Sequence, residues 1–169
     1  MTGVVSQTID TPLGALVAGA LPDGICLLEF PEHDRLESQL AAIRRRLGCE
    51  FEEGGSVHLD HLQRELAAYF AGTLTQFTVP VVTQGTPFQE RVWSQLRRIP
   101  YGETRSYEAL AKAAGSPGGS RAAGHANGLS RIAIVIPCHR VVNKDGKLGA
   151  YGGGLWRKQY LLDLERPRD

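Results

Sequence analysis

Apolar and polar positions alternate through the first thirty residues, and turn residues break the alternation at short intervals. Stretches 4–9 and 15–20 flank Asp10-Thr11-Pro12-Leu13-Gly14, and Pro22-Asp23-Gly24 leads into 25–30, a pattern that predicts a β-meander. The apolar period then lengthens. Leu36, Leu40, Ile43 and Leu47 predict an amphipathic helix over 35–47. Gly54-Gly55-Ser56 marks a loop, and a second helix is predicted over 60–71, with Leu62, Leu66, Tyr69 and Phe70 inward and Gly72 as its stop. A further short strand is predicted at 78–82.

A boundary is expected near Gln84-Gly85, dividing the chain into domains 1–85 and 86–169. Thr86 with Gln89 three residues on is a capping-box pattern, and Pro87 suits the first helical position. Phe88, Val92, Leu96 and Ile99 give that helix an apolar face, and Pro100-Tyr101-Gly102 ends it. Ser106 caps a helix over 107–114 that stops at Gly115. After Ser116-Pro117-Gly118-Gly119 a third helix is predicted over 120–127. Two short helices joined by a glycine-containing turn have the outline of a helix-turn-helix, or of a helical hairpin that merely packs. The second is rich in small residues (Ala122, Ala123, Gly124, Ala126, Gly128), which would let another backbone approach closely. The β-branched run 134–136 closes at Pro137 and reads as a buried strand with Cys138 at its end. Asn143-Lys144-Asp145-Gly146 is a turn, Tyr151-Gly152-Gly153-Gly154 a loop, and 155–165 a closing helix. The fold class is α+β.

Composition narrows the function. With 169 residues, 42% hydrophobic and 22% charged, the chain is long enough for one good core or two small ones. It shows no basic leader and no apolar run near the roughly 20 residues a membrane span needs, so a cytoplasmic protein with no membrane partner is expected. Cys26, Cys49 and Cys138 form an odd, sparse set, which predicts free thiols rather than a disulfide framework. His33, His58 and His61 lack metal-ligand spacing with them, so no metal and no cofactor is expected. The net charge of +1 conceals a division: residues 1–85 hold 5 Lys/Arg against 11 Asp/Glu, and residues 86–169 hold 14 against 7. An acidic half joined to a basic half points to a polyanion met by the second half alone.

Cys138 is the candidate nucleophile. A thiol reacts as thiolate, so it needs a base or a positive environment, and His139 is the adjacent base. Neighbours on a strand point to opposite faces, so either the backbone kinks at Pro137-Cys138 or a water bridges the pair. Glu165 is the candidate acid to orient the imidazole. A buried structural cysteine beside a surface histidine is the plainer alternative for an arbitrary Cys-His pair. A hydrolase would need an oxyanion hole and turnover, and a redox thiol would bring a resolving cysteine.

The run Pro137-Cys138-His139-Arg140-Val141-Val142, followed by Gly149-Ala150-Tyr151-Gly152-Gly153-Gly154 and Lys158, resembles the O6-alkylguanine-DNA alkyltransferases. The likeness takes in Phe88-Gln89, Val92-Trp93, Ile99-Pro100-Tyr101-Gly102-Glu103-Thr104, Ser106-Tyr107 and Arg121-Ala122, nearly the whole second half. It implies an N-terminal ribonuclease-H-like domain and a C-terminal winged-helix-like domain. It implies a DNA-repair protein for double-stranded DNA that takes the alkyl group from O6-alkylguanine onto Cys138, once and irreversibly, leaving O4-alkylthymine open as a second substrate. His139 would act through a water and Glu165 would orient it. Arg121 would fill the place of the flipped-out nucleotide, and Tyr107 would press on the 3′ phosphate. Ala122, Gly124, Ala126 and Asn127 would lie in the minor groove. Tyr107, Val141, Tyr151, Gly152, Gly153 and Lys158 would wall the base pocket, and Ser130 and Arg140 would support the site. The protein would act as a monomer, with cooperative binding along DNA left open.

The chain departs from the family at one place. Relatives commonly carry Asn-Gly-x-Asn-Pro where this sequence has Asn127-Gly128-Leu129-Ser130-Arg131, so Ser130 stands where an asparagine holds the turn beneath the site. A related class with tryptophan in place of the cysteine binds lesions without repairing them, and Cys138 sets this chain apart from it. The zinc of some relatives has no matching ligands here. Two rival readings are a lesion sensor switched by alkylation and a cysteine hydrolase.

Overall fold

The computed structural model describes residues 3–48 and 50–166, with only the backbone of residues 33–35 described. Cys49 and the side chain of His33 therefore lie outside the described residues. The chain forms two compact units, Met1–Gln84 and Gly85–Asp169, within a mixed α+β fold.

In the first unit, β1 (Val4–Thr11), β2 (Gly14–Leu21) and β3 (Gly24–Glu29) form the expected antiparallel meander. The sheet order is β3-β2-β1-β4, with β4 (Phe51–Glu53) parallel to β1. A parallel neighbour needs a crossover, and α1 (His33–Leu47) supplies it. Leu36, Leu40, Ile43 and Leu47 of α1 pack with Val4, Leu27 and the thiol-bearing Cys26 in one apolar cluster.

The second helix, α2 (Val57–Phe70), starts three residues before the expected position. Ser56 accepts from the backbone N–H groups of His58 (3.1 Å) and Leu59 (3.5 Å), so the cap lies inside the presumed loop. The expected strand at 78–82 reduces to a single bridge, Ile25 to Val81. Pro80 has no N–H for a ladder, and the N–H groups of Thr78 and Val79 are taken by the Glu65 carboxylate at 2.8–3.0 Å.

In the second unit, Thr86 and Gln89 close the expected capping box on α3 (Pro87–Leu96), at 2.9 and 3.2 Å. Ser106 caps α4 (Tyr107–Ala113), and α5 is Ser120–Gly128. These three helices pack on one another. The Trp93 indole of α3 donates to the carbonyl of Ala126 in α5 at 2.9 Å. Two two-residue strands, β5 (Arg105–Ser106) and β6 (Val141–Val142), pair in parallel. The closing helix α6 is Leu155–Glu165, as the pattern predicts.

The stretch before Cys138 is not a strand. Residues 132–136 form a turn held by Val135 N–H to Ala133 O (2.7 Å) and Ile136 N–H to Ile132 O (3.2 Å), and Cys138–Arg140 is one turn of 3₁₀ helix. Ile134 sits at φ 69°, a left-handed conformation unusual for a β-branched residue, with a cost of about 1–3 kcal/mol. The whole run is buried, so its apolar character reports burial rather than extension.

Candidate functional site

Cys138 opens the 3₁₀ turn, nearly buried at 9% exposure. Its N–H donates to Ile136 O at 2.7 Å. The backbone thus does kink at Pro137-Cys138, and the turn puts the next two side chains into the interior. Neither His139 nor Arg140 is at the surface.

Both meet Glu165 at the end of α6. His139 Nε2 lies 2.7 Å from Glu165 Oε2, and Arg140 donates through Nε (2.7 Å) and Nη2 (3.0 Å) to the same carboxylate. Arg140 Nη1 also donates to Ile99 O at 2.6 Å, tying the network to the end of α3. Tyr101 adds a bond to Leu164 O at 3.3 Å, and its ring centroid lies 5.8 Å from the Arg140 guanidinium carbon. Burial alone would raise the Glu165 pKa. The hydrogen bonds from His139 and Arg140, with the positive charge of Arg140, outweigh it and hold the carboxyl down to about 2. Complete burial lowers the pKa of His139 against the opposing pull of Glu165, which keeps the imidazole neutral. A neutral ring that donates Nε2–H to the carboxylate leaves Nδ1 as an acceptor. That nitrogen is buried and has no hydrogen-bond partner among the described residues.

A second cluster forms around the loop that precedes α6. Lys158, fully buried, donates through Nζ to the carbonyls of Leu148 and Ala150, the latter at 3.0 Å. Tyr107 donates its hydroxyl to Ala150 O at 3.4 Å, and the Lys158 ammonium stands 5.8 Å from the Tyr107 ring centroid. Gly149 is at φ 74°, and a Cβ there would lie 2.9 Å from the Tyr107 hydroxyl oxygen. Glycine is required by both conformation and space. Burial pushes the Lys158 ammonium down to about 8 and the Tyr107 phenol up. A thiolate at Cys138 would raise both groups, so the thiol and this cluster lie within electrostatic reach. The loop also carries Tyr151, half-buried, whose carbonyl accepts from Gly154 N–H (3.0 Å), and Gly153, whose carbonyl accepts from Arg157 (3.0 Å). Gly152 is exposed.

On α5, Arg121 and Ala122 are exposed and Gly124 lies against Tyr107, where a Cβ would be 3.3 Å from the ring. Ala126 and Asn127 are corrected: both are buried, because their positions on the helix turn them toward α3 and the Cys138 turn rather than outward. Asn127 Nδ2 reaches Cys138 O at 3.4 Å. Val141, expected at the base pocket, is fully buried in β6. Ser130 is buried, and its hydroxyl accepts from Ile132 N–H at 3.5 Å at the base of the turn. The anchoring carbonyls of Leu148, Ala150 and Ile99 were not foreseen, because main-chain atoms leave no signature in residue type. Among the described residues no group of three or more His, Cys, Asp or Glu is placed to hold a metal, and no helix is long and apolar enough to cross a membrane.

A profile of the 6-O-methylguanine DNA methyltransferase DNA binding domain matches residues 87–167. A methylated-DNA–protein-cysteine methyltransferase of Mycolicibacterium paratuberculosis is 59% identical over 102 residues, 60% of this chain and 62% of that protein. The chain thus spans about three fifths of that relative's length. The protein of the same name from Mycobacterium leprae is 55% identical over 160 residues, which cover 95% of this chain and 91% of that one. The crystal structure of Mycobacterium tuberculosis OGT in complex with DNA matches with a TM-score of 0.81 at 42% identity, covering 95% of this chain and 92% of that one. Likeness of this depth over nearly the full length makes the chain a member of the methylated-DNA–protein-cysteine methyltransferase family.

Proposed function

We propose that this protein repairs O6-alkylguanine in double-stranded DNA by moving the alkyl group irreversibly onto Cys138. The observation that carries the reading is the buried His139–Glu165 pair at 2.7 Å beside a thiol that opens the same 3₁₀ turn. His139 is neutral and its Nδ1 is an acceptor, so it takes the thiol proton through one water, while Glu165 steadies the imidazolium that forms. The thiolate attacks the alkyl carbon in line with the C–O6 bond. An S–C bond forms, the C–O6 bond breaks with its electrons going to guanine, and guanine regains a proton, which balances the one lost by the thiol. The thioether is stable, so each molecule acts once. Lys158 and Tyr107 hold the carbonyls of 148 and 150 and so set the wall of the base pocket with Tyr151, Gly152 and Gly153.

In this reading residues 1–85 are a ribonuclease-H-like scaffold, and residues 86–169 are a winged-helix-like domain with α4 and α5 as its helix-turn-helix. The exposed side of α5 enters the minor groove, Arg121 fills the gap left by the extruded nucleotide, and Ala122 and Gly124 let the helix approach. Tyr107 helps rotate the base out, at a cost of a few kcal/mol that is least for a badly paired lesion. The protein acts as a monomer, and its DNA affinity falls as salt rises.

Duplex DNA carrying a labelled O6-methyl group tests this against its rivals. Label bound to protein in at most one equivalent supports repair. Label released with turnover marks a hydrolase, and label left on DNA marks a sensor; either refutes the reading. Arg121→Ala is expected to slow reaction with the duplex far more than with free benzylated guanine, and equal losses would exclude base flipping by this residue.

A further inference from the structure

We propose that Asn127 is a positioning residue for Cys138, tying the helix that carries Arg121 to the main chain of the thiol. The proposal rests on the alkyl-transfer reading above.

Asn127 is the last buried residue of α5, at 5% exposure, and its side chain points into the unit rather than toward solvent. Its Nδ2 donates across 11 residues of sequence to the carbonyl of Cys138 at 3.4 Å. The opposite assignment would set two oxygens against each other, so the geometry fixes the amide with its donor toward Cys138. Its Oδ1 is buried with no hydrogen-bond partner among the described residues. A half-satisfied amide is a poor choice for stability at an inward helix position. The neighbouring inward positions on α5 are alanines, Ala123 and Ala126, which incur no such cost. A polar group retained at a cost, aimed at the residue that reacts, fits a role in the reaction.

The contact has a mechanical consequence. Arg121 and Asn127 belong to one nine-residue helix, exposed at one and buried at the other. A shift of α5 on meeting the groove is therefore passed to the Cys138 carbonyl. At 3.4 Å the bond is at the slack end of its range, and such contacts tighten when the reacting complex forms.

The test uses the full chain, an O6-methylguanine duplex that engages α5, and free O6-benzylguanine, which does not. For Asn127→Ala the duplex rate is expected to fall roughly five- to tenfold, the worth of one hydrogen bond, and the free-base rate to fall less. Asn127→Asp keeps the shape but places an acceptor on the carbonyl. Its duplex rate, taken relative to wild type at each pH, should be lower still at neutral pH and recover in acid as the carboxyl gains a proton and donates. The asparagine amide of the wild type gives a readout that needs no variant: its proton exchange should slow when unmodified duplex is added. Duplex and free-base rates that fall in parallel with the melting temperature, a relative pH profile for Asn127→Asp that stays flat, or amide exchange indifferent to DNA would each overturn the proposal. Wild-type protein that transfers nothing refutes the function instead, while the amide exchange still reports on the coupling.

Discussion

Replacing Glu165 by glutamine keeps the side chain's size and removes its charge at the centre of the buried network. The carboxylate takes bonds of 2.7, 2.7 and 3.0 Å from His139 and Arg140, and its side chain is 1% exposed. Glutamine would turn one accepting oxygen into a donor facing donors, and would leave the Arg140 guanidinium buried without its counter-charge. Breaking a buried pair from one side costs about 3–5 kcal/mol. Proton linkage gives an independent figure. A carboxyl held down to about 2 from 4.5 is worth about 3 kcal/mol at 1.36 kcal/mol per unit. Its sign follows from proton counts. Between those two values the unfolded chain binds more protons than the folded one, so the contribution is whole above about pH 4.5 and is lost as pH falls toward 2. Urea unfolding of Glu165→Gln at neutral pH should show a loss of about 3 kcal/mol, or ~6–12 °C in melting temperature for a chain of this length. At about pH 3 the gap from wild type should shrink to less than half. A neutral-pH gap below about 1 kcal/mol, or one that acid leaves unchanged, would refute the network as an energetic unit.

Three further outcomes follow from single contacts. Lys158, lowered by burial to about 8, should titrate near pH 8 when its side-chain carbon resonance is followed by NMR. Its contribution to stability should rise from pH 8 toward 10.5, where the unfolded chain holds more protons, and a midpoint near 10.5 would contradict its buried setting. Gly149→Ala forces a Cβ to 2.9 Å from the Tyr107 hydroxyl oxygen at φ 74°. It should cost about 1–3 kcal/mol in denaturant unfolding, and an unchanged midpoint would mean that the loop is not fixed there. Thr86→Ala removes one arm of the α3 capping box and should cost about 1 kcal/mol, with Thr86→Ser retaining most of it; equal losses would show that the hydroxyl does not cap.

Much of the fold was legible because local chemistry and tertiary structure agree. The meander, the capping box at Thr86 and Gln89, and the bounds of α6 rest on turn residues, caps and apolar spacing that act within a few residues. The parallel pairing of β1 with β4 was not legible, since its partners are far apart in sequence. The Cys138 run misled because β-branched residues signal burial as strongly as extension. Nothing in the sequence of Ile132-Ala133-Ile134 announces a turn with Ile134 at φ 69°. Within the site, Cys138, His139 and Glu165 could be named from residue type and Arg140 only through the family resemblance, and the structure brings His139, Arg140 and Glu165 together. Composition alone does not tell which side of α5 faces inward, so its small residues could not be sorted from the sequence. Burial separates Ala122 and Gly124 from Ala126 and Asn127.

The most direct test of the account is the position of the transferred group. After reaction with an O6-methylguanine duplex, peptide mapping by mass spectrometry should find one methyl group on Cys138 and none on Cys26 or Cys49, with Cys138→Ser inert yet still bound to DNA. A methyl group on another residue, or transfer that survives Cys138→Ser, would contradict it.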